Sequence, residues 1–300
     1  MTILAEAEIP ALLSAGRPED IVVIPAFGVP VELETALRRR YPSAQIVDTT
    51  CRDVRAVWKF MEALEGDDWT ILLHGKADHP ETRATLSRAL QRARRVVIVP
   101  ELAYRESVGR AVREGSWKDY PPGLVHERGA APSSSAPVAV VNQTTMLYGE
   151  TLALGAVVTE ACAKAGRYCR LADTVCRATQ DRQDAAVAVC RERPDRVLVI
   201  GGFGSSNTAQ LYRLAAAAGA AYLVQNAGAL EAERITHWVP GSGLRCDGPW
   251  LPEGWATVGI LAGASCPAAD VGDVIRWFRR QALTPAGQAA ETNPRRGRLE

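Results

Sequence analysis

Several short polar clusters in this 300-residue chain hold side chains able to do chemistry, and each begins where an apolar run stops. His74, His79 and Glu81 crowd the stretch His74-Gly75-Lys76-Ala77-Asp78-His79-Pro80-Glu81. Thr144 lies in Asn142-Gln143-Thr144-Thr145, and Ser205, Ser206 and Asn207 follow Gly201-Gly202-Phe203-Gly204. Ser265 lies in Ala262-Gly263-Ala264-Ser265-Cys266. Hydroxyls, amides and imidazoles at helix starts suit a diphosphate, whose charge is met by unpaired N–H groups, the helix dipole and short donors. Thr50, Ser205, Ser206, Asn207 and Ser265 are equally good N-caps, so each alone carries two readings. His74, His79 and Glu81 make a poor zinc set, because this histidine spacing at a strand end is not the one-face helical pair of the zincins and no third ligand is obvious. Proton donor and phosphate binder suit them better. A histidine beside phosphate is biased toward its charged form, and a glutamate in a partly dry cleft keeps its proton at neutral pH. Glu81 reads also as the first-turn acid of a helix begun at Pro80. A dinucleotide loop at Gly201-Gly202-Phe203-Gly204 is disfavoured, since Ser205-Ser206 stands where GxGxxG needs its third glycine.

The elements that must position these groups alternate. Short β-branched runs at Asp20-Ile24, Gln45-Val47, Thr70-Leu73, Arg95-Val99, Val138-Val141, Arg196-Ile200, Ala221-Val224 and Thr257-Leu261 predict strands. Apolar residues at three and four residue spacing predict helices over Glu32 to Arg40, Val54 to Leu64, Glu81 to Arg94, Gly149 to Lys164, Asp181 to Arg191, Ala209 to Ala218 and Ala268 to Gln281. The alternation implies βαβ units with buried parallel sheets, in one continuous sheet or several small domains. In open sheets of this kind ligands gather at the carboxyl ends of strands, which predicts a shared polar cleft. Trp117 to Ala136, with Tyr120-Pro121-Pro122-Gly123, reads as an irregular insert, and Leu283 to Glu300 as a disordered basic tail.

Composition narrows the partners. Lys plus Arg is 35 against 34 for Asp plus Glu, so no global field favours nucleic acid or an anionic membrane. The first residues carry Glu6 and Glu8 and no base, unlike a secretory signal, and no apolar run reaches the ~18 residues of a membrane helix. A cytoplasmic location is expected. The seven cysteines form an odd count with no CxxC pair in a chain large enough to need no disulfides, so reduced thiols are the expectation.

The blocks Ile24-Pro25-Ala26-Phe27-Gly28, Val47-Asp48-Thr49-Thr50-Cys51, His74-Gly75-Lys76, Asn142-Gln143-Thr144-Thr145-Met146-Leu147, Cys176-Arg177-Ala178-Thr179-Gln180-Asp181-Arg182-Gln183-Asp184-Ala185 and Gly201-Gly202-Phe203-Gly204-Ser205-Ser206-Asn207-Thr208 occur in one order. In these blocks the chain resembles the LytB/IspH family of hydroxymethylbutenyl diphosphate reductases, in its plant and cyanobacterial branch, over Ile21 to Arg279. The resemblance implies small α/β domains with parallel sheets in a trefoil around a central cavity. The implied division is a truncated first domain over 1–51, a second over 52–170 with the insert at about 117–136, a third over 171–282, and the tail 283–300. It implies a 4Fe-4S cluster, with Cys51 and Cys176 as metal ligands. Cys266, next to Ser265 where the family usually has a small residue or threonine, is the candidate substitute for a third ligand by its position alone. His79, Ser205, Ser206, Asn207 and Ser265 would hold the diphosphate, with His74 carried over at less weight, while Glu81 and Thr144 would govern the substrate hydroxyl and its protonation.

One departure goes with this match. The family's first cluster cysteine lies in a Gly-Phe-Cys-Ala-Gly segment, and the residues before Ile21 contain no cysteine. One protein ligand to the cluster is therefore expected to be missing from this chain, and the first domain to shrink to about one βαβ unit with an exposed sheet edge and apolar face. The leading expectation is an iron-sulfur reductase, or its large subunit, dehydroxylating an allylic diphosphate to isopentenyl and dimethylallyl diphosphate. Its expected partners are a ferredoxin- or flavodoxin-like electron donor and a separate N-terminal complement or a second copy of the chain. The alternative is a cluster-deficient relative that binds an allylic diphosphate, or works in specialised metabolism, without the reductase activity.

Overall fold

The computed structural model describes residues 13, 17, 19–252 and 256–282. The tail expected over 283–300, and the start of the first domain at 1–12, lie outside the described residues. The chain forms two compact units, residues 1–176 and 177–300.

The first unit runs β1 (Val22–Ile24), α1 (Val31–Arg40), β2 (Ile46–Asp48), α2 (Arg52–Glu62), β3 (Thr70–His74), α3 (Pro80–Arg92), β4 (Arg95–Val99), α4 (Arg105–Glu114), β5 (Val125–Glu127), β6 (Val138–Asn142), α5 (Tyr148–Lys164) and β7 (Cys169–Leu171). β1 and β2 pair in parallel as a two-stranded ribbon of one βαβ unit. The larger sheet has the order β5-β4-β3-β6-β7, parallel except for β5. Its central strands are apolar at nearly every position because both faces are covered. Ile71, Leu73, Val96, Ala139 and Val141 point to one side and form a core with Val57, Trp58 and Met61 of α2 and Ala84 and Ala89 of α3. Leu72, Val97, Val99, Val138 and Val140 point to the other, against Val108 and Val112 of α4 and Leu154 and Val158 of α5. Each such side chain contributes roughly 1.5–3 kcal/mol on burial.

The ribbon packs its inner face, Ile24 with Leu37 and Tyr41, against α1. Polar contacts also tie it to α3, where Arg88 reaches the Glu34 carboxylate at 2.5 Å and the Val29 carbonyl at 2.6 Å while stacking 3.5 Å above the Trp58 ring. Its outer face is bare, with Ile21 69%, Val23 52% and Val47 46% exposed.

The second unit runs α6 (Arg177–Arg191), β8 (Arg196–Ile200), α7 (Ser206–Ala218), β9 (Ala221–Val224), β10 (Ile235–Val239), β11 (Gly243–Asp247), β12 (Val258–Ala262) and α8 (Ala268–Ala282). Its sheet has the order β11-β10-β9-β8-β12. Leu198 and Ile200 face Val274 and Trp277 of α8, while Val197 and Val199 face Ala186 of α6 and Leu211 and Ala215 of α7. The fold is therefore α/β with parallel-rich sheets, as the alternating pattern predicts. The β10–β11 hairpin, α4, β5 and β7 add to the expected elements, and β5 falls inside the stretch read as irregular.

The two larger sheets share a plan. In each, a central strand (β3 or β8) leads through a helix (α3 or α7) to a parallel neighbour (β4 or β9) that also carries an antiparallel strand (β5 or β10). On the other side of the central strand lies the strand that precedes the last helix of each set, β6 before α5 and β12 before α8. The repetition extends to single residues. Gly75 and Gly201 end the central strands, and the threonine seven positions on, Thr82 or Thr208, packs back onto each glycine. A Cβ at Gly201 would sit 2.6 Å from Thr208 Oγ1, and one at Gly75 would sit 2.7 Å from Thr82 Oγ1. Only glycine lets helix and strand approach so closely. Gly201→Ala is expected to cost about 1–3 kcal/mol by overpacking, and Thr208→Ala in the same chain to recover part of it. Urea unfolding of the two single variants and the double variant checks this, and strictly additive losses would contradict the contact.

Candidate functional site

Glu81 is the second residue of α3 and is 3% exposed. It is not left to water like an ordinary first-turn acid. Its Oε1 accepts from the Thr144 N–H at 2.6 Å and its Oε2 from Thr144 Oγ1 at 3.0 Å. Burial outweighs both bonds and raises the carboxyl to about 7. The expectation of a glutamate holding a proton near neutral pH thus has a physical cause in its surroundings.

Thr144 links this acid to a thiol. Its carbonyl accepts the Cys176 N–H at 2.9 Å, and the same segment is fastened by Thr174 Oγ1 donating to Asn142 Oδ1 at 2.7 Å. Gln143, fully buried between the two loops, accepts at Oε1 from Lys76 N at 3.1 Å and from Thr82 Oγ1 at 3.2 Å, and donates from Nε2 to Thr145 Oγ1 at 2.7 Å. It therefore sets the β3–α3 loop against the β6–α5 loop, and so Glu81 against Thr144. In the sequence Gln143 stands out only as one residue of the Asn142-Gln143-Thr144-Thr145 motif. Its role as a hub comes from contacts between loops some sixty residues apart, which no local pattern encodes.

His79 is the N-cap of α3, and its Nδ1 accepts from Glu81 N at 3.2 Å. In the neutral ring this leaves the proton on Nε2. Burial holds the imidazole below its ordinary value, Asp78 pulls it upward, and Lys76 and Arg83 push it further down. His74 ends β3, is wholly buried, and bonds Thr151 Oγ1 through Nδ1 at 2.9 Å. That contact joins β3 to α5.

Cys51 is half-buried at the N-cap of α2, and its N–H donates to the Ala26 carbonyl at 2.8 Å. The turn leading to it is held by Thr50 N on Asp48 Oδ1 at 3.0 Å and Arg55 on Asp48 Oδ2 at 2.7 Å. Cys176 is half-buried just ahead of α6. Cysteine sulfurs are the protein ligands of iron-sulfur clusters. Both therefore fit a cluster by donor chemistry. Among the described residues, no group of three His, Cys, Asp or Glu side chains is arranged to hold a metal ion.

In the second unit, Ser205 caps α7 by accepting from Thr208 N at 3.3 Å, and Ser206 is the first residue of that helix. Asn207, 4% exposed, accepts the Ala264 N–H at Oδ1 over 2.8 Å, and its Nδ2 is buried without a partner among the described residues. Asn207 stands on α7 where Glu81 stands on α3, and each binds a backbone N–H two residues beyond the neighbouring strand. Ser265 is exposed in the following loop. Cys266 packs against the core of this unit, with Sγ 3.6 Å from the Pro267 carbonyl, and burial and Asp270 push its thiol up while Arg182 opposes them. A cleft of about 290 Å³ lined by Glu34, Arg38, Trp58 and Arg88 holds none of these candidate residues.

The raised Glu81 carboxyl has a stability consequence. Between its unfolded value, 4.5, and about 7, the folded chain binds more protons than the unfolded one, so stability falls as pH rises through that window. The loss is on the order of 3 kcal/mol. Glu81→Gln keeps the shape and cannot ionise, so its stability is expected to exceed that of the native chain at pH 8 and to lack this decline. Urea unfolding from pH 4 to 8 checks it, and parallel profiles for the two chains would contradict the buried, protonated state.

The family model described as LytB protein matches residues 1–279, beginning ahead of the motif blocks that start near Ile21. The 4-hydroxy-3-methylbut-2-enyl diphosphate reductase of Gloeobacter violaceus is 36% identical over 285 residues, covering 90% of this chain and 66% of that protein. Its counterpart from Trichodesmium erythraeum is 35% identical over 283 residues, covering 87% and 67%. The chain thus spans about two thirds of the length of the curated relatives it matches. The solved E-1-hydroxy-2-methyl-but-2-enyl-4-diphosphate reductase of Plasmodium falciparum shares the fold, with a TM-score of 0.61 and 18% identity over 92% of this chain and 71% of that one. With a family match over nearly its whole length and relatives more than a third identical, this chain belongs to the LytB family.

Proposed function

We propose that this chain is an iron-sulfur reductase, or the large subunit of one, that removes the hydroxyl of hydroxymethylbutenyl diphosphate to give isopentenyl and dimethylallyl diphosphate. The observation that carries the reading is the buried Glu81 carboxyl, raised to about 7 and bonded to the Thr144 hydroxyl. The named activity of the relatives supports the substrate. Loss of an allylic hydroxyl as water consumes two electrons and two protons. When bound, a 4Fe-4S cluster supplies the electrons and a Lewis-acidic iron, with Cys51 and Cys176 among its ligands.

The chain's own groups serve the protons and the anion. Glu81 holds a proton at neutral pH, and in that form its Oε2–H donates to Thr144 Oγ1, 3.0 Å away, while the threonine's own hydroxyl proton turns to the substrate hydroxyl. The fully buried Gln143 keeps the loop geometry fixed while this happens. His79 offers its Nε2 proton to the diphosphate. Ser205, Ser206 and Asn207 at the start of α7, with Ser265, complete the anion-binding set, and the buried Nδ2 of Asn207 is a donor awaiting an acceptor. His74 serves from beneath by anchoring β3.

Cys266, a separate complement or a second copy of this chain would supply a third ligand to the cluster, and a ferredoxin- or flavodoxin-like protein the electrons. A second reading is a cluster-deficient diphosphate binder, which the buried Asn207 Nδ2 donor would serve equally well. Purification without oxygen separates the two. The reductase reading expects iron and acid-labile sulfide that are lost in Cys51→Ser and Cys176→Ser, and turnover of the allylic diphosphate that falls by about 10²–10⁴ in Glu81→Gln. Protein that stays free of both elements after reconstitution, yet binds the diphosphate, would replace it with the second reading.

A further inference from the structure

Two cysteines outside this site lie together. Cys162, on the last turn of α5, is 1% exposed, and Cys169, at the start of β7, is half-buried. The helix ends at Lys164, Gly166 turns the chain with a φ of 64°, and Arg167 N returns to the Cys162 carbonyl at 2.9 Å. Pairing of Cys169 with Val138 then lays β7 along β6, and both cysteines join the same apolar core. The turn sets the two side chains beside each other in that core. The buried Arg167 guanidinium beside the pair is fixed by the Ala136 carbonyl at 2.7 Å and the Val112 carbonyl at 2.9 Å.

We propose that Cys162 and Cys169 form a dithiol–disulfide redox pair, oxidised by hydrogen peroxide or a related peroxide, with Cys169 as the attacking sulfur and Cys162 as the resolving one. The roles follow from the surroundings. Cys169 is half-buried, within reach of a small oxidant, and the neighbouring Cys162 and the Arg167 charge hold its thiol below the ordinary value against the opposing effect of burial. Cys162 lies behind it, protonated and shielded. In the first step the Cys169 thiolate attacks a peroxide oxygen, the O–O bond breaks, and the hydroxide released takes a proton to leave as water. Cys169 is then a sulfenic acid. In the second, the Cys162 sulfur attacks that of Cys169, the S–S bond forms, the S–O bond breaks, and the Cys162 proton leaves with the hydroxide as a second water. Two thiols lose two electrons and one peroxide gains them.

The position gives the pair a readout. From Cys169 the chain runs through Ala172, bonded to the Val140 carbonyl at 2.9 Å, and Thr174, bonded to Asn142, to Cys176 on the Thr144 carbonyl. A cross-link between α5 and β7 would restrain the start of the segment that ends at Cys176, and the pair itself stands whether or not Cys176 binds iron.

The test uses the full chain, purified under reducing conditions, freed of reductant, exposed to hydrogen peroxide, alkylated and mapped by peptide mass spectrometry. The expected first product is a peptide cross-linked through Cys162 and Cys169, reversed by dithiothreitol. Cys169→Ser is expected to abolish it and leave Cys162 a thiol, whereas Cys162→Ser leaves a Cys169 sulfenic acid that dimedone traps. Cys162→Ala serves equally if the serine disturbs the core. A cross-link through Cys51, Cys176 or Cys190 that forms while Cys162 and Cys169 stay reduced would overturn the proposal, as would linkage of the pair only after unfolding.

Discussion

The buried bond between Glu81 and Thr144 is the constraint around which the first unit is organised. A carboxylate in a dry place is costly unless it is paired or keeps its proton. Here two bonds from a single threonine hold it, one from the main chain and one from the side chain. The bonds join the start of α3 to the loop after β6, and the Thr144 carbonyl extends the link to the segment bearing Cys176. A displacement of either loop would leave a buried acid with fewer partners. Acid, hydroxyl and thiol are thereby held in one register by groups that also stabilise the fold.

The second unit repeats the frame with different chemistry. Asn207 replaces Glu81, and its amide oxygen meets the Ala264 N–H as the carboxyl meets Thr144. The exchange of an acid for an amide removes the proton and adds a buried donor, Nδ2. One frame therefore presents a buried acid in one unit and a buried amide donor in the other. His79 and Ser205 repeat the correspondence at the N-caps, one accepting through a ring nitrogen and the other through a hydroxyl.

Much of this was legible in the sequence because strand ends and helix starts are local signals. The central strands read as apolar runs since both sheet faces are covered, and His79, Pro80 and Glu81 read together as a helix start with an acid able to keep its proton. Other features were hidden for physical reasons. β5 and β7 are three residues each, too short for a period to show. α4 carries Val108, Ala111 and Val112 at helical spacing, but its charged residues and short length mask the stripe. The β10–β11 hairpin was more readable, with alternating residues about Pro240-Gly241-Ser242-Gly243, a strong turn signal. The nearness of Cys162 to Cys169 depends on the turn after α5 and on the pairing of β7 with β6, and seven residues of separation alone do not imply it.

The β1–β2 ribbon has a consequence for how the protein behaves in concentrated solution. Among the described residues neither of its edges is paired, and its outer face shows Ile21, Val23 and Val47 with no charge interleaved between Val23 and its cross-strand neighbour Val47. An open parallel edge beside a bare apolar face is a template for adding strands from another molecule. With a net charge of only +1, long-range repulsion does little to keep molecules apart. The ribbon thus offers a site at which molecules can add to one another, and a lysine at position 47 would act as a gatekeeper there without touching either core.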